Sequence, residues 1–378
     1  MSKRRRSTDE DRDECAAKRP ALPGKQHLYL LVDDWERGYS VRKLDVDAFD
    51  SDAGTDLPPP ERFTEPPVAR LEALHEMSSN LVAHGTKILA MQPGEAKPVV
   101  PAFDTDALCL TMCPWPSCRA DYVATLFVSA AGKLFLFMHA LAEVLGDQPP
   151  YHSKTPWSWA TVEARPPFYT SEVLCHALHP DGRTLFVSAG SRRRRSKYRS
   201  TSSSPLEGQG TFSFDAERHK WTRHGEWVLP FTGQAHFDAD LEAWVGLCSE
   251  EGGAGRLCSC DVAPVAAELT GEPPWTLGKD KLFRKEPELH LGAKLLYMGD
   301  SKFCLVESLI HRDDEHMLRD PMAHVQPRRR VLSMTTFGLR YSRSGQLQTT
   351  RRRGRACKMY TRPYEFGGSW RDPSAFWL

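Results

Sequence analysis

The feature that most constrains this chain is one hairpin pattern written five times: an apolar strand, a turn of small or acidic residues, then a second apolar strand. It occurs at Leu81–Ala90 around Gly85, Leu126–Phe137 around Gly132, Ala177–Ser188 around Asp181-Gly182, Ala235–Leu247 around Asp240, and Leu295–Val306 around Gly299-Asp300. Turns of this kind close tight hairpins because glycine reaches positive φ without steric penalty. They sit near residues 85, 131, 182, 240 and 300, about 46 to 60 residues apart. A unit of that length cannot bury its apolar faces alone, so successive units must cover one another.

Each hairpin leads into a second, noisier strand pair. Val99–Asp104 leads to Ala107–Met112, Thr211–Asp215 to Trp221–His224, Leu257–Val262 to Trp275–Leu277, and Val331–Leu339 to Leu347–Thr350. Trp157–Val162 stands as an outer strand after a poorly patterned segment. The order "apolar run, Asp, gap, Trp" predicts the third and fourth strands of a four-stranded unit with an aromatic packed between neighbours, and every Trp reads as core. Leu28–Val32 and Tyr39–Val46 form a further hairpin, and residues 47 to 67, with Pro58-Pro59-Pro60 and Pro66-Pro67, read as a surface connection.

Outer strands counted near Leu44, Leu110, Trp159, Trp221, Trp275 and Leu347 number six. The expected fold is therefore all-β: a kelch-like β-propeller of six four-stranded blades, closed so that no long edge is left exposed. The first blade lacks an inner hairpin ahead of it, so the segment Cys357–Leu378 is expected to complete it. Five blades with an appended hairpin is the alternative. Residues 1–25 are read as a disordered basic and acidic tail, residues 26–378 as a single propeller domain, and residues 191–209 as an Arg/Ser-rich loop inserted in it.

Composition limits the function classes. Fifty Lys and Arg against 49 Asp and Glu leave a formal charge of +1, so no global field recruits nucleic acid or an anionic surface. No apolar run approaches the ~18 residues of a membrane span, and the N-terminus opens on Lys3-Arg4-Arg5-Arg6 instead of an apolar leader. No membrane association is expected. Ten Cys over 378 residues are too sparse for a disulfide scaffold and fit a reducing compartment.

Several strings carry a resemblance. Leu30–Trp35, Tyr39–Asp45, His179–Thr184, Gly225–Phe231, Leu241–Leu247 and Met298–Val306, in that order, closely resemble the plant family catalogued as domain of unknown function 1668. The resemblance spans roughly residues 27 to 345. It implies a plant source, a cereal-expanded family and kinship with kelch and F-box-associated propellers, with no established activity or catalytic residues to carry over. No helical adaptor module of the F-box type precedes Leu28.

Candidate chemistry is sparse. Gly299-Asp300-Ser301 is similar to the nucleophile block of one esterase family, but it falls in a hairpin turn, and neither Gly-x-Ser-x-Gly nor a phosphate-loop motif is present. Cys248, Cys258 and Cys260, or Cys109, Cys113 and Cys118, could supply thiolates, yet neither set makes paired Cys-x-x-Cys knuckles. Packed thiols are the simpler reading, so no cofactor, metal or catalytic residue is assigned and the chain is not expected to be an enzyme. An enzyme hidden in the propeller channel is the remote alternative.

Basic clusters are the remaining signals. Lys3, Arg4, Arg5 and Arg6 lie eleven residues before Lys18 and Arg19, the spacing of a two-cluster nuclear import signal. Arg192, Arg193, Arg194, Arg195, Lys197 and Arg199 precede a Ser cluster and form a candidate interaction loop whose charge phosphorylation would cancel. Arg328-Arg329-Arg330 and Arg351-Arg352-Arg353 add basic patches. The expected role is an intracellular protein-interaction module of the nucleus or cytoplasm, with unidentified protein partners and an open oligomeric state. Nucleic-acid association through the Arg-rich loops is the second expectation.

Overall fold

The computed structural model describes residues 25–50, 59–73, 81–91, 99–117, 125–138, 141–150, 152–190, 208–266, 271–283, 289–314, 329–360 and 373–378. The tail cluster from Lys3 to Arg19 and the loop from Arg192 to Arg199 lie outside the described residues.

Among the described residues the chain is built from strands and short 3-10 turns. The strands are β1 (Leu28–Trp35), β2 (Gly38–Leu44), β3 (Glu61–Arg62), β4 (Ala69–Glu72), β5 (Leu81–His84), β6 (Lys87–Ala90), β7 (Val100–Asp104) and β8 (Cys109–Cys113). Then come β9 (Leu126–Ala130), β10 (Lys133–Met138), β11 (Leu141–Leu145), β12 (Trp159–Val162), β13 (Val173–Leu178), β14 (Thr184–Ala189), β15 (Gly210–Asp215) and β16 (Lys220–Gly225). The last are β17 (Phe231–Asp238), β18 (Ala243–Cys248), β19 (Arg256–Asp261), β20 (Trp275–Lys281), β21 (His290–Tyr297), β22 (Lys302–Ile310), β23 (Arg329–Tyr341), β24 (Leu347–Tyr360) and β25 (Ser374–Trp377).

They pair as antiparallel quartets. Quartet I is β25-β1-β2-β4, II is β5 to β8, III is β9 to β12, IV is β13 to β16, V is β17 to β20, and VI is β21 to β24 with β3 added on its outer edge. Quartets IV and V share one sheet because their first strands pair in parallel, Cys175 with Gly233 through Ala177 with Ala235. The strand that completes quartet I is C-terminal: Leu28 pairs with Trp377 and Leu31 with Ser374.

The second strand of each of the later quartets shows why the hairpin repeat is so apolar. In β14 and β18 every residue is buried, since neighbouring quartets cover both faces of the strand. A strand buried on both sides reads as a continuous apolar run instead of an alternating one. The core is accordingly a series of clusters between quartets. Phe135, Phe137 and Phe214 join III to IV, Phe186 and Trp244 join IV to V, and Phe303 and Val245 join V to VI. Leu30 and Val306 join VI to I, Tyr29 and Phe103 join I to II, and Leu89 and Leu136 join II to III.

The Asp of the recurring signature is a turn device. Asp104 Oδ1 accepts from the backbone N–H groups of Asp106 and Ala107, and Asp215 Oδ1 accepts from those of Glu217 and Arg218. The Trp residues tie quartets together: Trp159 Nε1 donates to the carbonyl of Pro114, Trp221 Nε1 to that of Ala164, and Trp244 Nε1 to that of Leu178.

Four sequence expectations are corrected. Leu44 is not on an outer strand, because β4 pairs outside β2 and becomes the edge. Residues 47–67 are not a bare connection, since Glu61–Arg62 pairs in parallel with β24. Trp275 is not core: it is 36% exposed, at the start of the outer strand β20. Arg329 and Arg330 form no patch, because Arg329 pairs with Asp313 and Asp314 while Arg330 is buried 3.8 Å from Asp33.

Candidate functional site

Two features stand apart from the packing: a cavity where the first strands meet, and one outer strand. The cavity, of about 520 Å³, takes lining residues from the first strand of all six quartets, among them Val82, Ser129, His176, Gln234, Lys294 and Phe376. Its wall is mainly apolar with a few polar groups, the usual make-up of a small-ligand pocket. The parallel pairing of β13 with β17 sets His176 opposite Gln234, with His236 two residues further along. Burial lowers the imidazole pKa of both His176 and His236 to about 4, with Lys294 adding repulsion in each case, so both are neutral at physiological pH. His236 Nε2 lies 3.0 Å from the Leu295 carbonyl and therefore carries the proton, leaving Nδ1 as an acceptor. The Lys294 ammonium sits 4.3 Å from the centre of the Phe376 ring.

This arrangement can hold a ligand but does not assemble a nucleophile. His176 and His236 have no hydroxyl or thiol partner among the described residues. Two Ser–His contacts occur, His84 Nδ1 with Ser129 Oγ of the cavity wall at 3.0 Å and, away from the cavity, His224 Nε2 with Ser213 Oγ at 2.8 Å. Neither imidazole has a carboxylate within 4 Å among the described residues to orient it, the third member such a site needs. The Ser301 hydroxyl of the Gly299-Asp300-Ser301 turn donates to Asp238 Oδ1 at 2.8 Å and to Asp240 Oδ2 at 3.2 Å. Its proton fixes one hairpin turn to another.

Among the described cysteines all but Cys109 are packed thiols, and Cys118 lies outside the described residues. Cys175, Cys248, Cys258 and Cys260 share one apolar cluster, while Cys113 belongs to another and Cys109 is exposed. The Cys258 thiol donates to the Pro230 carbonyl at 3.3 Å, and burial pushes the Cys260 thiol up to about 12. Metal ligation requires the thiolate, which this environment disfavours. Among the described residues no group of three His, Cys, Asp or Glu is placed to hold a metal ion, and no helix is long and apolar enough to cross a membrane.

The outer strand is β8. Among the described residues it pairs only with β7, and it presents Leu110 and Met112 at 59 and 69% exposure, with Leu108 of the preceding turn at 58%. Alternation along the strand puts Leu110 and Met112 on one side, next to a backbone edge that no described strand pairs with. By register Leu110 and Met112 correspond to Trp221 and Arg223 in β16 and to Trp275 and Leu277 in β20. Sequence reasoning placed an outer strand near Leu110 but gave its residues no role. The signal available was the Leu110-Thr111-Met112 alternation itself, in a strand already read as an outer one.

The family profile described as "Protein of unknown function (DUF1668)" matches residues 25–358. The chain belongs to the DUF1668 family. No curated protein matches it. Among solved structures it is similar to Kuenenia stuttgartiensis hydrazine synthase, with 11% identity over 73% of this chain and 64% of that one at a TM-score of 0.32. It is also similar to an assembly described as "Complex of KlAtg21 with coiled-coil of AgAtg16", with 8% identity over 87% of this chain and 96% of that one at a TM-score of 0.37.

Proposed function

We propose that this DUF1668 chain is a six-bladed, kelch-like β-propeller that serves as a protein-interaction module, in the nucleus or cytoplasm of a plant cell. The architecture is supported by core clusters that link the quartets in the order I-II-III-IV-V-VI and back to I, and by a cavity lined from all six first strands. The C-terminal strand β25 beside β1 is the join such a ring requires.

The interaction role rests on β8. A strand edge whose backbone groups no described strand meets, with exposed apolar side chains beside it, is ordinarily shielded by charge, proline or a covering segment. Here Leu108, Leu110 and Met112 are exposed together, as at a surface that adds a partner's strand or packs an apolar face. The proposed contact then lies at the rim of quartet II. Affinity capture from plant extract with the Arg192–Ser204 loop intact should recover a discrete partner with the native chain and lose it with a Leu110→Asp/Met112→Asp variant. An identical set of captured proteins from both would overturn the reading. Sedimentation of the purified chain provides the second check, since a dimer dissolved by the same substitutions would put another copy of the chain on β8 instead.

A further inference from the structure

A second cavity, of about 680 Å³, lies away from both the first strands and β8, between the β21–β22 turn, the β23–β24 hairpin and the turn that follows β2. Its wall is unusually rich in cations: Lys302, Arg340, Arg351, Arg352 and Arg353, against the acidic Asp47 and Asp300. Those acids are already engaged. Asp47 pairs with Lys25 at 2.9 Å, and Asp300 lies 3.8 Å from Lys302.

A β-bulge brings the arginines together. Thr336 pairs with Arg353 and Gly338 with Thr350, so Phe337 alone faces both Arg351 and Arg352. Arg351 takes φ +49, a left-handed conformation that favours glycine. A bulge re-aims side chains and is characteristic of functional edges. Across the same hairpin Arg340 pairs with Gln348, which sets it beside the bulge even though eleven positions separate it from Arg351 in sequence.

The five cations are not equivalent. Arg352 is held by Thr349 Oγ1 at 2.9 Å and by Asp280 at 3.6 Å, and Arg353 donates to the Asp47 carbonyl at 3.3 Å. Arg340 and Arg351 are exposed and have no carboxylate within 4 Å among the described residues. Two held guanidinium groups and two free ones converge on one concavity, with the Thr336 and Thr350 hydroxyls in the same wall. Guanidinium groups match phosphate oxygens two at a time, and several around one pocket select several phosphates.

We infer that this cavity is a binding site for a small soluble ligand carrying two or more phosphate groups. Its volume falls within the range of pockets for small molecules, on the order of 300–1,000 Å³. A nucleic-acid strand is the poorer fit. Such sites interleave exposed aromatic platforms with a basic track, whereas the one aromatic residue in this wall, Phe337, is buried. The chain's near-neutral net charge also supplies no extended field.

The test is calorimetric titration of the full chain with inorganic tripolyphosphate, beside orthophosphate, a short single-stranded RNA, and vesicles bearing a polyphosphorylated headgroup. Saturable binding of tripolyphosphate that exceeds orthophosphate and weakens as salt is raised is expected. Arg340→Ala and Arg351→Gly should each weaken it by about tenfold or more. Because Arg351 occupies a conformation that glycine adopts freely, Arg351→Gly should melt no lower than the native chain, which separates lost binding from lost folding. The Leu110→Asp/Met112→Asp variant should bind tripolyphosphate normally, so the two surfaces stand or fall independently. Absence of tripolyphosphate binding, unchanged binding by both arginine variants, or binding of RNA or vesicles alone would overturn the inference.

Discussion

Trp244 Nε1 donates to the main-chain carbonyl of Leu178 at 2.9 Å, joining the second strand of quartet V to the first strand of quartet IV across 66 positions of sequence. The indole also packs 5.2 Å from the Phe186 ring, with none of its surface exposed. Trp244→Phe keeps the apolar contact and deletes the bond, which should cost ~1–3 kcal/mol because a buried carbonyl loses its donor. Trp275→Phe, at the exposed start of β20, should stay within ~0.5 kcal/mol. Urea denaturation of the two variants checks this, and equal effects would remove the distinction between the buried and exposed tryptophans.

Asp181 predicts an acid dependence. Burial raises its pKa, but hydrogen bonds from the Thr184 hydroxyl, the Thr184 and Arg183 backbone N–H groups and the nearby His179 outweigh that and hold it below the usual carboxylate value. A carboxyl with a depressed folded pKa contributes stability above its unfolded pKa of about 3.9 and loses it as pH falls through the folded value. Asp181→Asn keeps an acceptor without the charge. Its denaturation midpoint should lie below that of the native chain at neutral pH, and the two should converge at strongly acidic pH.

The cavity histidines act over a higher window. His176 and His236 titrate near 4 when folded, against about 6.5 when unfolded. Between those values the unfolded chain binds more protons, so stability should decline as pH falls from about 6.5 toward 4 and stop declining from this source below it. A His176→Gln/His236→Gln variant should show a flatter midpoint-versus-pH curve across that interval. A curve parallel to the native one would mean the two imidazoles are solvated.

Two glycines separate conformational from steric cost. Gly182 has φ +72, and a Cβ added there meets nothing within 4 Å, so Gly182→Ala should cost only ~1–2 kcal/mol for the left-handed backbone, and Gly182→Val somewhat more. At Gly210, with φ +121, an added Cβ would fall 2.0 Å from the Gly225 carbonyl oxygen. Gly210→Ala must displace the β15–β16 pairing, and its midpoint should drop well below that of Gly182→Ala in thermal melts.

Much of the strand plan was legible because each hairpin writes it locally. Apolar runs such as Leu185-Phe186-Val187 and turns such as Asp181-Gly182 specify strand, reversal and strand without reference to the rest of the chain. Where local signals thin out, the reading slipped. β4, only four residues long, and β3, with two, are strands because edges are available for them to pair with, and their own sequences say little. Trp275 was placed on an outer strand yet failed as a core residue, because its exposure depends on what the neighbouring quartet packs against it and its own strand does not write that.

The sequence by itself determined the all-β class, the repeated hairpins and the Asp turns, since each follows from short-range periodicity and turn chemistry, and its strand count called for a C-terminal segment to complete the first quartet. Only the tertiary structure decided what those elements bring together. Arg340 and Arg351 meet through the register of one bulged hairpin, His176 and Gln234 through a parallel pairing between quartets, and Leu110 and Met112 stay exposed on a strand outside which no described strand pairs. Register and edge position are properties of pairs of strands, so no single stretch of residues encodes them.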